Sequence, residues 1–305
     1  VLLAGTVQTQ AAGTKNFPVK TLNIYSPYDQ IVKLGGEIKG AKNVSLDLKD
    51  HYEVATCAET FTEMYQFFTN ETPKTTVVIP QTNPTISGDV LSFGENISGN
   101  GATLEIYEVN PENGFRISRT PDFTFSIKED NKWGPIQVKS NTNYEFKVFT
   151  GKNGDRPVHY YREAFVRDNK NVLVRFYPPT GSLASVFLTS LPNKDDQAAM
   201  AFFSASQAII VDRDQLTVND NVLTNNQLAS AANTTIAMFI YDDNNNKITD
   251  LKPISSFSLF PFLAGVDVYF PFDGGEFSVF KMNGRTLNVP NWPSDSEGVG
   301  IAIFD

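Results

Sequence analysis

Asp29 and His51 each stand three residues past a strand-like apolar run, the first ending at Ser26 and the second at Leu48. These residue types in this order suit proton transfer. A histidine can take a proton from a nucleophile near neutral pH. A carboxylate on the far side of the ring fixes its tautomer and stabilises the imidazolium. Both side chains must project from one edge of a sheet, as they can from the ends of neighbouring parallel strands. A single aspartate in a turn reads as a turn residue, and a single histidine as structural. The ordered pair, each member after a strand and with a helix to follow, is what points to chemistry. The chain has two histidines. The other, His159, lies in an alternating run with one aromatic face and reads as structural.

"VKTLNIYS" (19–26), between Pro18 and Pro27, predicts a strand. "AKNVSLDL" (41–48) alternates and predicts a second. "TCAETFTEMYQFFTN" (56–70) carries Phe61, Met64, Tyr65 and Phe68 at helical spacing, and Thr56 with Glu59 reads as a capping box. Two strands and an amphipathic helix over 1–72 form a fragment of an α/β sheet that cannot close its own core.

From residue 73 the pattern turns to β. "TTVVI", "TLEIYEV", "FTFSI", "YEFKVFT", "HYYREAFV" and "NVLVRFY" alternate with Gly-, Pro- and Asn-rich turns, the rhythm of a sandwich over 73–177. "YPPTGS" (177–182) is a Pro-rich break. "ASVFLTS", "AAMAFFSA", "AIIVD", "TTIAMFIYD", "FSVFKM" and "GVGIAIFD" then predict a second β-sandwich module over 178–305. The expected fold class is mixed: a C-terminal fragment of an α/β sheet followed by two all-β sandwich domains.

Composition narrows the function. With 41% hydrophobic and 19% charged residues, the chain can bury a core. A net charge of -9 argues against a nucleic-acid surface. The one cysteine, Cys57 on the first helical turn, allows no intramolecular disulfide. No apolar run reaches the roughly 18 residues of a membrane helix. Neither zinc-ligand spacing nor a phosphate-binding glycine loop occurs, so no cofactor is expected. The chain begins at Val1, not Met, and reads as a processed or truncated product, a start that removal of a signal peptide would also give. The sequons at Asn43, Asn70, Asn96 and Asn233 fit chance in a chain this rich in Asn, Ser and Thr.

Three further features have a sharp and a plain reading. "YDDNNNKITD" spaces Asp242, Asn244 and Asn246 like the start of a calcium loop. The sixth position is Lys247 instead of glycine and the twelfth is Pro253 instead of glutamate, so a polar hairpin turn fits better. "SSFSLFPFLAGVDVYFPF" (255–272) could meet lipid but reads as sandwich core. Trp133 and Trp292 could stack on sugars but more often such rings fill cores.

Several stretches resemble known proteins. "LNIYSPYDQIVK" resembles the acid loop of bacterial lipases of the α/β-hydrolase fold, and "LDLKDHYEVATCAETFTEMYQFFT" their histidine loop and final helix. "GATLEIYEVNPENGFRISRTP", "RPVHYYREAFVR", "FIYDDNNNKITDL" and "GRTLNVPNWPSDSEGVGIAIFD" look like the two β-sandwich modules appended to one group of these lipases. The resemblance covers essentially the whole chain. It implies a secreted or cell-surface lipase or carboxylesterase acting on acylglycerol-type esters, with Asp29 the triad acid and His51 the triad base.

The chain departs from the family pattern in one respect. In that fold the nucleophile precedes the acid and the histidine, within G-x-S-x-G. No G-x-S-x-G occurs here. In "GDVLSFG" (88–94) the glycine stands four residues before Ser92, inside a β run, and no HGGG-like motif is present. The nucleophile is therefore expected upstream of Val1. The expected partners are an ester or lipid substrate, the N-terminal portion of the same hydrolase, and a lipid interface or surface glycan. A rival reading stands beside it: a non-catalytic extracellular protein that uses the β modules for structure or carbohydrate binding.

Overall fold

Three short strands at the start of the chain pair in parallel. In a computed structural model describing residues 1–5, 8–32, 36–151, 155–178, 181–188, 190–230, 234–260 and 262–305, these are β1 (Leu2–Leu3), β2 (Leu22–Tyr25) and β3 (Lys42–Ser45), in the order β1-β2-β3. The Asn233 sequon, Pro179 and Thr180 of the Pro-rich break, and Pro261 lie outside the described residues. The predicted strands over 19–26 and 41–48 are shorter than expected, because the ladder runs only from Leu22 opposite Lys42 to Tyr25 opposite Ser45. Leu22 and Ile24 pack with Ala4, Val32, Leu46 and Val54 in a small core.

The predicted helix over 56–70 forms as α2 (Ala58–Thr69), and a short helix, α1 (Glu53–Thr56), precedes it, separated by Cys57, which is extended. The Thr56–Glu59 capping box does not form. Thr56 Oγ1 donates instead to the carbonyls of Tyr52 (3.2 Å) and Ser206 (2.8 Å), and Glu59 pairs with Lys49 at 3.4 Å. The buried face also differs from expectation. Thr60, Met64 and Phe67 face the core, whereas Phe61 and Phe68 are 49% and 65% exposed. Both faces have helical periodicity, so spacing alone could not choose between them. α2 ends at Asn70 in the left-handed conformation.

"TTVVI" (75–79) is not a strand. It pairs with no strand among the described residues, and Val77 and Ile79 are exposed. The β region begins with β4 (Thr85–Ser92), β5 (Thr103–Glu108), β6 (Phe123–Ser126), β7 (Lys132–Gln137), β8 (Tyr144–Phe149), β9 (Val158–Arg162) and β10 (Asn169–Phe176). "ASVFLTS", predicted as a strand, is the short helix α3 (Leu183–Leu188), whose start is capped by Ser182 Oγ accepting from the Ser185 amide at 3.1 Å. Then follow β11 (Ala199–Ser204), β12 (Leu216–Val218), β13 (Asn221–Val222), β14 (Ala237–Tyr241), a 3-10 turn (Ser255–Leu259), β15 (Leu263–Asp267), β16 (Phe277–Met282), β17 (Arg285–Pro290) and β18 (Val299–Phe304). "AIIVD" lies in the irregular segment and turn before β12, not in a strand.

Among the described residues these strands form three layers. The middle layer is one eight-stranded sheet, β15-β14-β11-β18-β9-β8-β5-β6. It runs unbroken across the Pro-rich break, because β18 pairs in parallel with β9 from Val299 opposite Val158 to Ile303 opposite Arg162. One face packs on the sheet β10-β4-β7 and the other on β13-β12-β16-β17. Ala199 and Ala201 enter the first core, and Met200 and Phe202 the second. Burial on both faces explains the near-continuous apolar runs "AMAFFS" and "VGIAIF", whereas the outer strand β4 alternates between buried and half-buried residues. Each fully buried Phe adds about 1.5–3 kcal/mol to folding. Within the stretch over 255–272, residues 264–268 are buried. Phe257 and Phe270 are sealed from water, and Phe257 stacks on Phe239 at 4.9 Å.

Candidate functional site

The end of β2 leads into a tight turn that aims Asp29. Ser26 accepts from the Asp29 amide at its carbonyl (3.2 Å) and from the Tyr28 amide at Oγ (3.1 Å). Asp29 Oδ1 accepts from the amides of Ile31 (2.8 Å) and Val32 (2.7 Å). That leaves Oδ2 for His51, whose Nδ1 lies 2.8 Å away. The carboxylate is buried and the imidazole is 30% exposed. The structure thus brings the two predicted residues together. With Nδ1–H donated to Asp29, Nε2 of the neutral ring is the proton acceptor.

His51 sits on a loop with unusual backbone. After β3 the chain turns at Leu48, which adopts φ +51, a costly conformation for a side chain of this size. Asp50 follows, wholly buried, and its Oδ1 accepts from the amides of Tyr52 (2.7 Å) and Glu53 (3.2 Å). Glu53 Oε2 reaches back to the Asp50 amide at 3.3 Å. This reciprocal arrangement is of the capping-box type, six residues earlier than expected. The D-x-x-E spacing at 50–53 was the sequence signal for it.

The loop carries opposed titrations. Burial, then the neighbouring Glu53 carboxylate, pushes the Asp50 carboxyl up to about 7. Burial works against Glu53 too, but hydrogen bonds with Asp50 and Arg213 outweigh it and hold Glu53 below the usual carboxylate range. Arg213, from the turn before β12, is a site residue with no sequence signal, because it lies 160 residues from Glu53 in the chain.

Asp242 is buried and accepts from the amides of Asn246 (3.1 Å) and Lys247 (2.8 Å). Asn244 and Asn246 donate side-chain amide hydrogens to Asp250 at 3.3 and 3.4 Å. Asn244 also donates to Asp267 of β15 at 3.2 Å, so the turn is tied to the sheet beside it, and no group of three or more His, Cys, Asp or Glu among the described residues is set to hold a metal. Trp133 is a core residue whose Nε1 donates to the Val172 carbonyl at 3.3 Å. Trp292 donates to Tyr161 Oη at 2.9 Å and stacks on His159 with centroids 5.5 Å apart. Ser92 is fully buried at the end of β4, its Oγ accepting from the Ile97 amide at 2.9 Å, and is not a nucleophile on a turn. Cys57 is half-buried, with Sγ donating to Thr60 Oγ1 at 3.4 Å. No helix among the described residues is long and apolar enough to cross a membrane.

Comparison with known families adds two findings. Residues 82–179 match the family model of the Lipase C-terminal domain, a stretch that runs from just before β4 to just after β10. Residues 202–305 match a second family of C-terminal domains, from within β11 to the end of the chain. No curated protein matches the chain.

Proposed function

We propose that this chain supplies the acid and base of a serine-dependent lipase or carboxylesterase, together with its C-terminal β modules. One observation carries the reading: the 2.8 Å contact between Asp29 Oδ2 and His51 Nδ1 at the ends of neighbouring parallel strands. The Lipase C-terminal domain match downstream supports it. On this reading the parallel strands and α2 belong to an α/β-hydrolase sheet. The serine comes from residues outside this sequence, since none here stands in G-x-S-x-G.

The chemistry follows from the geometry. His51 Nε2 takes the proton of the serine hydroxyl as oxygen attacks the ester carbonyl. It returns that proton to the leaving alcohol, and water then repeats the cycle on the acyl-enzyme. Asp29 stabilises the imidazolium formed in each half-reaction, its second oxygen held in place by two backbone amides. The substrate class is an acylglycerol-type ester, met outside the cell.

Fluorophosphonate labelling of the native protein with its preceding segment, read by mass spectrometry, tests the reading. An adduct on a serine that is lost in His51→Ala supports it. Folded protein with the segment present and no adduct sinks it. The rival carbohydrate reading has less to stand on, because Trp133 is buried and the Trp292 ring is stacked on His159.

A further inference from the structure

We infer that Arg213, carried by the second β module, is the positioning residue that holds the His51 loop in its working shape. The inference rests on the hydrolase reading above and assigns the β module a part in the catalytic geometry.

The guanidinium straddles His51 in sequence. Nη1 donates to the Leu48 carbonyl at 2.9 Å and to Glu53 Oε2, while Nη2 lies 3.4 Å from Asp50 Oδ2. The loop is therefore gripped three residues before the imidazole, beside it, and two residues after it. The grip on Leu48 falls on the residue whose backbone is least favourable. A leucine at φ +51 relaxes unless its surroundings over-determine it.

Arg213 is itself pre-oriented. Nε and Nη2 donate to Asp214 Oδ2 at 3.0 and 2.7 Å, and Nη2 to the Ala208 carbonyl at 2.9 Å. Asp214 is fixed in turn by the Ile210 amide (2.8 Å), Gln207 (2.9 Å) and Asn283 (2.9 Å). A planar fork with five donors in fixed directions holds these acceptors in one geometry, whereas a lysine offers three donors on a freely rotating ammonium. A second tie runs parallel, from Thr56 Oγ1 to the Ser206 carbonyl at 2.8 Å. Errors of about 1 Å in the placement of a catalytic group cost up to roughly 10²-fold in rate, so a clamp of this kind has a function to serve.

The test uses the fact that the chain has two histidines. Long-range proton–nitrogen spectra of the uniformly 15N-labelled 305-residue chain resolve two imidazoles, and the buried His159 serves as an internal control. We expect His51 to show one tautomer with a protected Nδ1–H in the parent chain. In Arg213→Met that signature averages or disappears while the His159 signals stay in place. Arg213→Lys restores at most part of it. Glu53→Gln, which keeps an acceptor for the Asp50 amide, tests the same clamp from the other side should Arg213→Met fail to fold. The expected change has the same direction and is smaller. His51 signals unchanged in a folded Arg213→Met chain, or in Glu53→Gln where that chain does not fold, overturn the inference. In protein that forms the serine adduct, Arg213→Met should slow labelling by about tenfold to a hundredfold. The imidazole spectrum needs no serine, so a failure of the hydrolase reading leaves this result legible.

Discussion

Glu145 Oε1 lies 2.6 Å from His159 Nδ1 on the adjacent strands β8 and β9, and both side chains are sealed from water. Arg116 grips the same carboxylate through Nε (2.6 Å) and Nη2 (2.7 Å). On the other side of the ring, His159 Nε2 lies 3.1 Å from Glu297 Oε2, without the alignment of a hydrogen bond. Glu297 lies two residues before β18, whose Gly300 pairs with His159, so this charged cluster sits at the seam where β9 and β18 join. Removing one member strands the others in a low-dielectric interior. Glu145→Gln should destabilise the chain by about 3–5 kcal/mol. A urea midpoint equal to that of the parent would refute the estimate.

The same cluster sets the response to acid. Burial works against the ionised form of Glu145, but hydrogen bonds from Arg116 and His159 prevail and hold it down to about 2. Glu297 is likewise held down to about 2 against its burial, by His159 and Lys147. Both groups are depressed from 4.5, so the unfolded chain takes up protons first. Their stabilisation is present above pH 4.5 and lost as pH falls towards 2. Urea midpoints measured over this window should fall steadily, and Glu297→Gln should make the decline shallower.

Asp50 has the opposite sign. Its folded-state value of about 7 lies above the ordinary 3.8, owing first to burial and then to Glu53. The folded chain therefore holds the proton more tightly, and this group's contribution is lost as pH rises from 3.8 to about 7. Asp50→Asn keeps an oxygen for the Tyr52 and Glu53 amides and has no proton to lose. Its stability relative to the parent should rise across that window. Parallel stability curves for the two proteins would show that Asp50 does not titrate as described.

Asp29→Asn separates geometry from charge in the proposed triad. The amide oxygen can keep the bonds from Ile31 and Val32, so folding should change little. The side chain that faces His51 Nδ1 then no longer enforces the right tautomer or offsets the imidazolium charge. In the complete hydrolase, kcat should drop by about 10⁴-fold. A loss below tenfold in a steady-state ester assay would remove Asp29 from the acid position.

The Asp29–His51 pair could be read from the chain because each member follows the end of a short strand, and parallel pairing of neighbours brings those ends together. The β rhythm was equally visible, since alternation and turn residues are local properties. Helix capping falls six residues earlier than expected. Thr56–Glu59 and Asp50–Glu53 both carry the spacing, and only the turn of the chain at Leu48 chose the second. The buried face of α2 was not decided by spacing for the same reason: two faces shared one period. What tertiary structure alone decided are the long-range contacts. Arg213 meets Glu53 across 160 residues, and β18 joins β9 in parallel across the Pro-rich break. Local pattern fixes which residues can form a strand, a cap or a turn. Which distant edges and charges then meet depends on how whole layers pack, and a strand buried on both faces carries no mark of its neighbour.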